Sequence, residues 1–178
     1  MSNTDELLSL ALQARRENRL DDARQHLVEA VNREREADTG VGLAKALTRL
    51  GQIERDLGHK DVALRSYQEA AAIYRTADDV LRLAHTVRHV ADIHRERGHT
   101  ELAEPCYHEA LSIYRGNEHT PPLDLANAIR GLAILKDEAG AAEASRLLWE
   151  EAKELYTAVN VKAGVDESCR RLALLERR

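Results

Sequence analysis

Three side chains near the middle of the sequence are spaced as metal ligands would be. His85, His89 and Asp92 stand at offsets of zero, four and seven, which puts them on one stripe of a helix. Such a stripe offers two imidazoles and a carboxylate to a metal ion. The same spacing equally describes a half-solvated histidine pair in which Asp92 holds Arg88 or Arg49. No Glu-based hydrolase motif accompanies it, so the metal reading is the weaker one and no cofactor is expected. Tyr74, Tyr114 and Tyr156 resemble a stacking ladder for bases, but they share a register with Ile73 and Ile113, which assigns them to a core. There is no Gly-rich phosphate loop, nucleophile elbow or Cys–His pairing. The sequence therefore names no catalytic residue and reads as a non-enzyme.

The bulk chemistry narrows the partners. With 178 residues, 43% apolar and 32% charged, the chain has enough apolar surface for one folded domain. Its net charge of -5 argues against a dedicated nucleic-acid binder, because such binding is driven by a basic surface that releases counterions. The opening residues Met1-Ser2-Asn3-Thr4-Asp5-Glu6 are acidic and polar where a secretory signal needs a basic start and an apolar core, and no stretch is apolar enough to span a bilayer. A cytoplasmic setting is expected, and Cys106 and Cys169, far apart and without paired spacing, suit it as small packing residues.

What must position these side chains is a repeat. Leu47-x-x-Leu50-Gly51, Gly58, Ala63, Tyr67, Ala70 and Tyr74 return as Val87-x-x-Val90-Ala91, Gly98, Ala103, Tyr107, Ala110 and Tyr114. They return again as Ile129-x-x-Leu132-Ala133, Gly140, Ser145, Trp149, Ala152 and Tyr156. A fainter copy begins at Leu7-x-x-Leu10-Ala11, and Cys169-x-x-Leu172-Ala173 repeats only the opening half. Leu, Ala, Glu and Arg dominate, and apolar residues recur at helical spacing, so each copy is expected to be a pair of helices. The ranges are about 4–17 and 21–36, 40–57 and 60–75, 79–97 and 100–115, 121–139 and 142–158, with a last helix at about 161–177. Turns are expected at Asn18, Gly58, Gly98 and Gly140, with Thr100 and Thr120 as N-caps, the latter followed by Pro121 at the first helical position. One hairpin cannot bury its apolar faces alone, so the copies should stack.

At these residues the chain resembles the tetratricopeptide repeat family, whose pattern sets a large residue before Leu-Gly, a turn Gly, and a second-helix Ala followed by an aromatic. Repeats of 40 to 42 residues, against the usual 34, read as longer helices similar to those of kinesin light chains and bacterial signalling regulators. The first-helix aromatic of the family is replaced by Ala14, Glu54, His94 and Lys136. The resemblance implies an all-α, right-handed superhelical α-solenoid of nine helices within a single domain, residues 1–178. It would comprise four helix-turn-helix repeats, at about 4–37, 40–77, 79–117 and 121–159, and a capping helix at 161–177.

It also implies a concave groove lined by the first helices. That row is Lys45, Thr48, Arg49 and Gln52; then His85, Arg88, His89 and Asp92; then Asn127, Arg130, Gly131 and Ile134; and finally Glu167, Arg170 and Arg171. Six Lys or Arg stand there against two acids in a chain whose total is acidic. Arginines at 49, 88, 130 and 170 suit carboxylates, which a guanidinium engages through two parallel bonds. The expected function is a protein–protein interaction module, an adaptor or the sensing part of a regulator, binding an acidic peptide or protein segment. The alternatives are a self-associating scaffold using an edge near Leu172 and Leu175, or a metal- or small-ligand-binding regulator using the groove histidines.

Overall fold

A computed structural model describes residues 3–38 and 40–177; Met1 and Ser2 of the acidic start lie outside them. The helices are α1 (Asn3–Arg16), α2 (Leu20–Glu36), α3 (Gly40–Asp56), α4 (Lys60–Thr76), α5 (Val80–Glu96), α6 (Thr100–Gly116), α7 (Pro122–Glu138), α8 (Ala142–Ala158) and α9 (Lys162–Leu175). Among the described residues these nine helices occur with no strand, which is the all-α repeat expected from the sequence. From α2 to α8 every helix has 17 residues, so each is about 25 Å long, and the added length of the repeat lies in the helices themselves.

The turns explain the regularity. A residue in the left-handed region sits at Asn18, Asp38, Gly58, Asp78, Gly98, Gly140 and Asn160, close to every twentieth position. In each of the turns after α3, α5 and α7, the amide three residues past the last helical residue reaches back across the helix end. His59 N–H donates to Glu54 O at 2.7 Å, His99 N–H to His94 O at 2.9 Å, and Ala141 N–H to Lys136 O at 2.9 Å. This closure satisfies carbonyls that the helix end would leave unpaired, and it needs a residue that tolerates positive φ. Between hairpins, Asp38, Asp78 and Asn160 supply that conformation in place of glycine, as short polar side chains can. The connection at 117–121 differs, being five residues long with Asn117 extended. Two expected caps are not made. Thr100 is the first helical residue behind His99, and Thr120 Oγ1 donates to Tyr114 O at 2.8 Å while Pro121 takes the cap and Pro122 opens α7.

Packing follows the repeated small and aromatic residues. Tyr67, Tyr107 and Trp149 are fully buried, as are Ala91, Ala110 and Ala133, and Ser145 Oγ closes on Ala133 O at 3.1 Å. Gly51 lies against the Tyr67 ring, where an added Cβ would come to 3.0 Å. Gly131, expected in the groove row, is instead buried beneath Tyr107, and a Cβ there would stand 2.4 Å from Tyr107 Cε1. Two compact units result, Met1–Thr86 and Val87–Arg178. In the first, α1, α2, α3 and α4 pack in succession; in the second, α6, α7, α8 and α9 do so.

At two of the four positions that lack the first-helix aromatic, Glu54 and Lys136, polar bonding takes its place. Glu54, 1% exposed, accepts from Arg24 Nε at 2.7 Å and pairs with His59 Nδ1 at 2.7 Å. In the second unit Lys136 Nζ reaches Glu104 Oε1 at 2.5 Å.

Candidate functional site

In the first unit, α3 turns Lys45, Thr48, Arg49 and Gln52 toward one cleft because offsets of three, four and seven share a helical face. Tyr74 from α4, Arg82 and His85 from the start of α5, and Leu12 from α1 complete a cleft of about 400 Å³. No acidic side chain lines it. Arg82 is tied to Asp79, but neither Lys45 nor Arg49 has an ion-pair partner among the described residues. Burial raises the Tyr74 phenol above its ordinary value, against the opposing influence of the Thr48 hydroxyl and of Arg82. It therefore stays a neutral donor at physiological pH.

The second unit holds the rest of the expected row, and there the cations are already matched. Arg88, His89 and Asp92 are all buried. Arg88 Nη1 donates to Asp92 Oδ2 at 3.0 Å and Nη2 to His89 Nε2 at 2.9 Å. Because a guanidinium only donates, His89 Nε2 must be an acceptor, which leaves its proton on Nδ1, 3.6 Å from Asp92 Oδ2. Tyr107 O–H closes the set on Asp92 Oδ1 at 2.7 Å. Burial alone would raise the Asp92 carboxyl; contact with His89, the Arg88 charge and the Tyr107 hydroxyl more than offset it and hold the group far below the usual carboxylate range. Arg130 makes a two-pronged pair with Glu167 at 2.7 and 2.9 Å, Arg171 reaches Asp137 at 3.3 Å, and Asn127 Oδ1 accepts from Tyr156 O–H at 2.8 Å. Arg170 is exposed and has no ion pair among the described residues.

Two expectations change. The arginine row is not uniform: Arg88 and Arg130 spend their charge on Asp92 and Glu167, while Lys45, Arg49 and Arg170 keep theirs. The metal stripe is also not a ligand set, since among the described residues no group of three His, Cys, Asp or Glu is placed to hold an ion. The reason is local. Asp92's oxygens face Arg88 and Tyr107, and the Arg88 guanidinium lies against Nε2 of His89 while Nδ1 turns to Asp92. No helix is long and apolar enough to cross a membrane among the described residues.

Leu12 was not in the expected row, yet extending that row back by one repeat from Gln52 finds it. The Tyr107 hydroxyl was hidden differently, because an aromatic at a core position gives no sign of where its polar end points. A larger cleft of about 610 Å³ lies between α8 and α9, with Leu172 and Ala158 in its wall. Its charges are of both signs, and Arg146 already bonds Glu150 at 2.6 Å. Size favours that cleft; the convergence of unmatched donors favours the smaller one.

Residues 3–76 match the tetratricopeptide repeat family. No curated protein matches. Among solved structures, BtubC (BKLC) from P. vanneervenii superposes with a TM-score of 0.79 at 21% identity, over 88% of this chain and 64% of that one. A Rap protein complexed with Competence and Sporulation Factor gives 0.78 at 15% identity, over 93% and 46%. MamA protein gives 0.63 at 13% identity, over 98% and 92%. The chain thus spans less than two thirds of the first two. At these identities the likeness establishes the fold alone, an all-α helical repeat.

Proposed function

We propose a non-catalytic, cytoplasmic interaction module that takes an acidic segment of a partner protein in the cleft of the first unit, on helices whose residues 3–76 match the tetratricopeptide repeat family. The observation that carries this is the pair of cations, Lys45 and Arg49, without ion-pair partners among the described residues, in a cleft whose described lining has no acid, on a chain whose net charge is -5. The solved Rap complex is a precedent for a fold of this kind holding a partner. Arg170 offers a further contact in the second unit, whereas Arg88 and Arg130 act by holding their own helices. Each exposed ion pair contributes at most about 1 kcal/mol, so affinity comes from several together and falls with added salt.

A fluorescein-labelled oligoglutamate peptide, titrated with the protein at low and high salt, tests this. Lys45→Glu/Arg49→Glu should weaken binding roughly tenfold, and salt should do the same to the unaltered protein. Binding that ignores both the substitution and the salt would show that the cleft is ordinary solvated surface.

A second reading rests on α9. Ala173 is exposed where its counterparts Ala91 and Ala133 are fully buried, and Leu174 is 53% exposed. That edge suits a second copy of the chain. A strict monomer by light scattering at high concentration would count against it.

A further inference from the structure

We propose that the first-unit cleft selects acidic segments that also carry a small aliphatic side chain within about three or four positions of the acid, the reach of an extended chain across one helix-to-helix spacing. This deepens, and rests on, the reading of that cleft as an acidic-segment site. The aliphatic side chain is recognised by Leu12. A single exposed leucine is ordinary, but this one, 39% exposed on α1, stands at the junction of two depressions. One is the cationic cleft. The other adjoins it, and Leu12, Arg49 and Gln52 line both.

The second depression has an apolar floor of Ala11, Leu27 and Ile53, each at most 3% exposed. Its volume is about 30 Å³ and it is open to solvent, room for about one methyl group at the end of an aliphatic chain. Arg49 and Gln52 border it on α3, so a chain that sets an aliphatic tip there has its neighbouring residues over the cationic heads. An acid-only segment satisfies the charges and leaves Leu12 and the floor wetted. An apolar segment covers the floor and leaves Lys45 and Arg49 facing nothing. The two requirements together define the ligand as an acidic and aliphatic peptide.

Panning short randomised peptides displayed on phage against the full chain tests this. The enriched peptides should contain Asp or Glu with Val, Ile, Leu or Met close by. Panning the Leu12→Gln variant should keep the acids and lose the aliphatic preference. Binding of the best synthetic peptide to that variant should weaken about tenfold, with the melting curve unchanged. Acidic peptides without aliphatic residues, or an aliphatic preference that survives Leu12→Gln, would overturn this inference and leave the acidic-segment site standing. Enrichment without acids, or none at all, would remove both.

Discussion

Replacing Asp92 by Asn keeps the shape of the side chain and removes the charge that Arg88 depends on. Both side chains are about nine-tenths buried, at 11% and 10% exposure, so the guanidinium left behind has little water to turn to. Removing one member of a buried pair typically costs 3–5 kcal/mol, because the survivor stays charged in a poorly solvated place. For a chain of this length that corresponds to a fall in melting temperature of roughly 6–15 °C. Trp149, the only tryptophan and fully buried in the second unit, reports the transition by fluorescence. The pH dependence gives an independent reading. The Asp92 carboxyl lies below its unfolded value, so its stabilisation is fully present above the ordinary carboxylate value near 4 and is lost as pH falls below it. The native protein should therefore lose stability on acidification below about pH 4 by up to about 1.4 kcal/mol per pH unit more than Asp92→Asn does. A loss under about 1 kcal/mol, or parallel acid limbs, would refute this account. Arg88→Met/Asp92→Leu separates charge from hydrogen bonding: removing both should cost less than Asp92→Asn, the remainder of about 1–3 kcal/mol being the buried Tyr107 O–H left without its acceptor, and if it costs as much as or more than the single change the charge argument is wrong.

Gly131→Ala drives a methyl group into the Tyr107 ring, and because that ring is wholly buried the conflict should cost about 1–3 kcal/mol; an unchanged urea midpoint would mean the ring can move aside. Ala91→Leu, at a fully buried helix contact, should cost a similar 1–3 kcal/mol, read in the same titration. Arg24→Glu places like charges together at Glu54; since Arg24 is 46% exposed the penalty should be only about 1 kcal/mol, and adding Glu54→Lys should recover most of it in a double-mutant cycle.

The helices were legible because their signals agree. The small-and-aromatic series recurs in step, and the ranges it implies, 40–57 and 60–75, match α3 and α4 within a residue of either end. Three of the turns were legible through Gly58, Gly98 and Gly140. Asp38, Asp78 and Asn160 were not, because aspartate and asparagine mark helix starts and open loops as readily as a left-handed stop. The candidate site was half legible. Spacing shows that Arg49, Arg88 and Arg130 share equivalent faces, but it cannot show whether a carboxylate on the same helix, such as Asp92, or on another, such as Glu167, has already claimed a guanidinium. Pairing is decided by side-chain reach across helices, and the sequence carries no direct trace of that.

The polar replacements for the family's first-helix aromatic have their own logic. Positions 24 and 54 correspond through the repeat to 104 and 136, and the charges are reversed: Arg24 meets Glu54, whereas Glu104 meets Lys136. The alanines and aromatics of the second, third and fourth copies are nearly interchangeable, so apolar packing alone would accept a hairpin of another chain stacked in the wrong place. Charge does not accept it. The fourth hairpin laid on the first would set Lys136 against Arg24, and the second laid on the third would set Glu54 against Glu104. Burying Glu54 at 1% exposure costs solvation, which Arg24 and His59 offset through two bonds of 2.7 Å. An aromatic there would bury more apolar area and carry no such information. The departure from the repeat pattern thus gives up some packing for a charge match between successive hairpins, Arg24 with Glu54 in the first unit and Glu104 with Lys136 in the second.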